Sequence, residues 1–137
     1  MVRKAFFMLA LIVPLLVPLP TFADLKHSDV FLMTNEYEVG VANQLLVIIR
    51  PFEGFKYNSN YPSTARIATK PIKLKTYGLY EKEHFLVEKD YIIVLIPFVP
   101  LLPGVERVKI RLTYSLCSDV SCIVERTWYT AEVEIHE

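Results

Sequence analysis

From Val108 to Leu116 the chain alternates without a break. Val108, Ile110, Leu112, Tyr114 and Leu116 are apolar, and Lys109, Arg111, Thr113 and Ser115 between them are polar. A period of two puts each set on its own face of an extended strand, whereas a helix would scatter both around its circumference, so the segment predicts a strand with one buried face. The last segment has the same habit: Tyr129, Ala131, Val133 and Ile135 share one parity, Glu132 and Glu134 the other. Between the two lie Cys117 and Cys122, joined by Ser118-Asp119-Val120-Ser121, a connection of hairpin length.

Five further segments read as strands. Asn43 to Arg50 is short, β-branched and closed by Pro51, which predicts a mostly buried strand. Tyr91 to Pro97 repeats that pattern, and in Lys70 to Lys75 the residues Ile72 and Leu74 should face inward while Lys73 and Lys75 face water. Ser28 to Met33 and Ala65 to Thr69 complete a set of about seven. No stretch has a 3.6-residue period, so helical crossovers are excluded and an all-β, immunoglobulin-like antiparallel β-sandwich is expected. The disulfide that joins facing sheets in true immunoglobulin domains is not expected, because these cysteines are neighbours in sequence. Two long connections, Phe52 to Ser63 and Tyr77 to Asp90, read as functional loops.

The start differs in kind. Arg3 and Lys4 precede an apolar run interrupted by Pro14 and Pro18 and ending at Thr21-Phe22-Ala23, the pattern of a secretory leader over residues 1–23 with cleavage before Asp24. An uncleaved anchor is the alternative, but the run is about 15 residues against the roughly 20 a span needs. Residues 24–137 then form one domain carrying no membrane span, at home in the periplasm or secreted. Loss of Arg3 and Lys4 lowers fifteen basic residues to thirteen against fifteen acidic, a net charge of −2. Nucleic acid is not an expected partner of so neutral a chain.

In an oxidising compartment the cysteine pair should be a disulfide. Its six-residue ring would add only about 2 kcal/mol by loop entropy, so structural need is weak. Cys117 has the parity of Lys109 and Arg111 and should face outward, open to exchange. Asp119 inside the ring would disfavour a thiolate, leaving the pair better suited to being attacked as a disulfide than to attacking. Spacing alone leaves a reactive and a structural role open.

The segment from Leu112 through Cys117-Ser118-Asp119-Val120-Ser121-Cys122 resembles the cysteine hairpin of the amino-terminal domain of DsbD-type thiol:disulfide interchange proteins. Gly54-Phe55-Lys56-Tyr57-Asn58, followed by Tyr61-Pro62, resembles a segment of single-domain members of that family. The resemblance implies a periplasmic immunoglobulin-like domain that passes electrons from a thioredoxin-like or membrane electron-transfer donor to oxidised envelope proteins, a thiol:disulfide oxidoreductase of protein-disulfide reductase type. It implies that Cys122 forms the mixed disulfide and Cys117 resolves it, and that an aromatic cap, here Tyr80 or Phe85, covers the pair. Ile123 and Val124 stand where the family often has prolines.

The alternative is a non-enzymatic cell-envelope binding or assembly module with a purely structural hairpin disulfide. Tyr57 and Tyr61 are expected to be exposed partner contacts, and Trp128 and Tyr129 to pack in the core or its rim. No cofactor motif occurs, and His27, His84 and His136 lack ligand spacing, so no metal is expected; a Cys117, Cys122 and His84 site is the weaker metal-delivery alternative. Glu36, Glu38, Glu81, Glu83, Glu132 and Glu134 read as solvated surface.

Overall fold

The computed structural model describes residues 26–33 and 36–137, and the expected leader and its cleavage point lie outside them. In chain order the strands are β1 (Ser28–Leu32), β2 (Glu36–Glu38), β3 (Asn43–Pro51), β4 (Lys56–Tyr57), β5 (Thr64–Ile67), β6 (Leu74–Thr76), β7 (Leu79–Tyr80), β8 (Phe85–Val87), β9 (Ile92–Pro100), β10 (Gly104–Cys117) and β11 (Cys122–His136). They form two sheets. One is five-stranded in the order β1-β3-β9-β6, with β8 also on β9; the other is six-stranded in the order β2-β11-β10-β5-β7, with β4 also on β10. The β2–β11 pairing is parallel; the others are antiparallel.

Alternation explains the layers. In β9, Ile92, Val94, Ile96 and Phe98 point inward, and β3 contributes Leu45, Val47 and Ile49. They share one core with Val108, Ile110, Leu112, Tyr114 and Leu116 of β10 and Ala131, Val133 and Ile135 of β11. Two sheets closing one apolar core make the expected immunoglobulin-like β-sandwich.

All seven expected strands have counterparts; the other four, β2, β4, β7 and β8, are two or three residues long. Three of these lie in the connections read as loops, which are therefore stitched to the sheets rather than free. The Lys70–Lys75 expectation needs correcting, because pairing begins only at Leu74, and Ile72 is 75% exposed with its N–H on Glu106 Oε1 at 2.7 Å. The strand expected to stop at Pro97 runs on to Pro100. On one edge β9 pairs with β8 through Ile92–Val94 and with β6 through Phe98–Pro100, leaving a gap at Leu95–Pro97. The Pro97 carbonyl, accepting the Tyr80 hydroxyl at 2.6 Å, is not used in that ladder, and the missing N–H, which points to the same edge in a strand, costs nothing there.

Candidate functional site

β10 and β11 form one ribbon in continuous register from Gly104 opposite Ile135 to Cys117 opposite Cys122. Directly opposed side chains share a face, and these two sulfurs are bonded, with the Cα atoms 3.9 Å apart. The connection is tied off by Ser118, whose N–H donates to the Ser121 carbonyl at 2.8 Å. Its hydroxyl accepts from the Val120 and Ser121 amides at 3.3 Å each, the local side-chain bonding for which serine is favoured in turns. Asp119 sits exposed at the tip.

The two sulfurs have unequal surroundings. β10 has strands on both sides, and Cys117 is paired across to Lys56 of β4, so Cys117 is half-buried. Cys122 is exposed, and β11 has no strand on its far side from Cys122 to Val133 among the described residues. β4 is brought there by a turn in which the Phe55 N–H donates to the Phe52 carbonyl at 3.0 Å, with Gly54 at φ 88°, a backbone conformation that favours glycine. Cross-strand pairing puts the Lys56 side chain on the outer face beside Cys117. Lys56 was not singled out from the sequence, although it lies inside the quoted Gly54–Asn58 segment.

Tyr80 and Phe85, expected to cap the disulfide, lie on the other side of the sheet. Tyr80 is 1% exposed, with its hydroxyl committed to Pro97 and accepting the Tyr77 N–H at 3.1 Å. Phe85 is 7% exposed and stacks on Tyr57, with ring centroids 6.3 Å apart. Both belong to the core, whereas the sulfurs stand outside it, so neither ring covers them. Tyr57 faces inward too. It is half-buried rather than exposed and hydrogen-bonded to the Ser63 hydroxyl at 2.7 Å, and burial raises its phenol pKa. Tyr61 is half-buried in the following turn. Ser115, expected to face water, is 2% exposed because Asn58 lies against it, its N–H on the Ser115 carbonyl at 2.8 Å. Trp128 is 53% exposed on the outer face, a correction to the core or rim packing expected for it, while Tyr129 packs half-buried on the core.

Just inside the disulfide is a polar cluster that was not anticipated. The Glu125 carboxylate, 9% exposed, accepts the His27 N–H at 2.8 Å, the Ser28 hydroxyl at 2.9 Å and the Tyr114 hydroxyl at 3.1 Å, and lies 2.9 Å from His27 Nδ1. Burial pushes the Tyr114 phenol up to about 12, bonds from Ser28 and Thr127 pull it back, and the neighbouring Glu125 charge adds to the rise. The signal was available, since Glu125 and Thr127 continue the parity of Tyr129 and Ala131. A groove of about 630 Å³ lined by Lys26, His27 and the run Ile123–Trp128 follows the open edge.

His84 packs edge-on against Tyr80 at 5.2 Å, and the sulfurs it was considered with are bonded to each other. Parallel pairing of β2 with β11 instead groups Glu36, Glu134 and His136, with one ligand atom each within 4.8 Å. All three are at the surface or half-buried, and His136 Nε2 lies 3.6 Å from Glu134 Oε1.

No protein-family model and no curated protein matches the chain. Among solved structures it is similar to AggA, the major subunit of aggregative adherence fimbriae type I from Escherichia coli, at 11% identity over 80% of this chain and 94% of that one. The TM-score is 0.40, and a likeness at that level bears on neither fold nor activity.

Proposed function

We propose that this chain is a thiol–disulfide exchange domain of an oxidising compartment outside the cytoplasm, with Cys117 and Cys122 as its redox pair. One observation carries the reading: the disulfide stands on the outer face of the sandwich, with Cys122 exposed on the open edge of its sheet and neither sulfur among the residues of the core. A thiolate of a partner dithiol protein approaches Cys122 Sγ from that edge. The new S–S bond forms as the Cys117–Cys122 bond breaks, and the electron pair leaves on Cys117 Sγ. The partner's second thiolate then attacks its own sulfur in the mixed disulfide and releases Cys122 as thiolate. The domain is reduced and the partner oxidised, and the reverse sequence delivers the pair of electrons to an oxidised envelope protein. The Lys56 ammonium beside Cys117 favours the departing thiolate, while Asp119 opposes it.

Titration in glutathione and dithiothreitol buffers tests this. A midpoint well above about −300 mV is expected, and one far below it, the range of inert structural disulfides, would sink the reading. Cys117→Ser should also trap a mixed disulfide through Cys122.

The open edge of β11 favours a second reading, an assembly module gripped by strand addition. For that role the double change Cys117→Ser, Cys122→Ser leaves partner binding intact, whereas exchange is abolished by it.

A further inference from the structure

Lys56, Arg126, Arg111, Arg66 and Lys109 project from the face that carries the disulfide. Arg66, Arg111 and Trp128 lie in one row across β5, β10 and β11, and Lys109 and Arg126 flank that row in register with Thr130 and Thr113. None of the five cations forms an ion pair among the described residues. Going from the row away from the disulfide, the first carboxylate met along the ribbon is Glu132, already facing Arg107 at 3.8 Å. Arg66 and Arg111 are directly opposed on neighbouring strands, an arrangement that repels. Trp128 lies at the centre with Lys109 Nζ 4.6 Å and Arg111 Cζ 5.4 Å from its ring centroid. These contacts hold the cations over an exposed ring instead of leaving them free in solvent.

In a chain whose fifteen basic and fifteen acidic residues balance, so many unpaired cations on one face mark a place where negative charge is to arrive. Trp128 is six residues from Cys122, so the row lies about 20 Å from the exposed sulfur along the same face of the strand. We propose that this face docks the acidic surface of a protein whose reactive thiol is thereby delivered to Cys122, with Trp128 as the apolar anchor. The proposal rests on the exchange reading and adds the partner's chemistry: a thiol flanked, roughly 20 Å away, by carboxylates.

Two ten-residue peptides test it on the intact domain. Each has one cysteine at an end, with four Glu in one and four Lys in the other placed three to eight residues along, within reach of the row at about 3.3 Å per residue. Rates of disulfide opening are normalised to each peptide's reaction with hydroxyethyl disulfide and measured at low ionic strength, where the Debye length is about 30 Å. The acidic peptide is expected to react at least about tenfold faster than the basic one, with the ratio falling toward unity in 0.5 M salt. Arg66→Glu with Arg111→Glu should invert the preference. Dithiothreitol, an uncharged dithiol, is run alongside. If it cannot open the disulfide, the exchange reading fails and this proposal with it. If it can but the two peptides react alike, only the docking face is overturned, and that comparison needs no variant to fold. Sedimentation with phosphatidylglycerol vesicles, abolished by the same reversals and without any peptide preference, would assign the face to a membrane surface and equally overturn the proposal.

Discussion

On the inner side of the β10–β11 ribbon, Glu125 is 9% exposed, and its carboxylate is engaged by His27, Ser28 and Tyr114. One and three residues further along the same strand, Arg126 and Trp128 stand on the outer side. There the cations face no carboxylate until Glu132. A buried charge without partners would unfold the domain, so the inner group is saturated from within. On the outer side water screens the charges at little cost, so the same strand tolerates unpaired, even mutually repelling, residues. A polar group with its bonding complete serves the fold; one held in place with its bonding incomplete is free to serve a partner.

Three substitutions or conditions would break or sharpen that contrast. The largest effect is expected from Glu125→Ala, which leaves the His27 N–H, Ser28 and Tyr114 without their shared acceptor. A loss of about 3–5 kcal/mol in chemical denaturation is expected, and a loss below 1 kcal/mol would mean that the cluster is no more structural than the outer face. Alkali comes next. The folded-state pKa of Tyr114 is raised from 10.0 to about 12, so the protonated phenol favours folding in full below pH 10. That contribution declines as pH rises through the interval up to about 12. The shift corresponds to about 3 kcal/mol; urea midpoints should fall over that window, and Tyr114→Phe should flatten its share of the fall. The smallest effect is on the outer face. Arg66→Glu, by placing opposite charges across from each other, should raise stability by about 0.2–1 kcal/mol. A clear loss instead would show that the cation row supports the fold after all.

The ribbon was the most legible part of the sequence, because fourteen and fifteen residues of strand give a period of two room to declare itself. The same parity put Cys117 outside and Leu116 inside, as the structure has them. Glu125 was missed because the inward parity was followed back only to Tyr129, not through Thr127. The stretches around Tyr57, Tyr80 and Phe85 read as loops for a different reason. Their strands are two or three residues long and held by neighbours distant in sequence, so no local pattern announces them. Hence Tyr57 was expected at the surface and Tyr80 or Phe85 over the disulfide, and all three are found inward. Lys56 was hidden in the same way, since its place beside Cys117 is a fact of register between strands about sixty residues apart in sequence, separated by 117 − 56 positions.

The bridge joins the last rung of a ladder that continues through thirteen further cross-strand pairs. The ring it closes is so small that an unfolded chain is barely constrained by it, and opening it removes only about 2 kcal/mol of loop entropy. On the exchange reading proposed above, a bond that adds so little to the fold can open without melting the domain, and a partner would tell the two states apart at the sulfurs themselves.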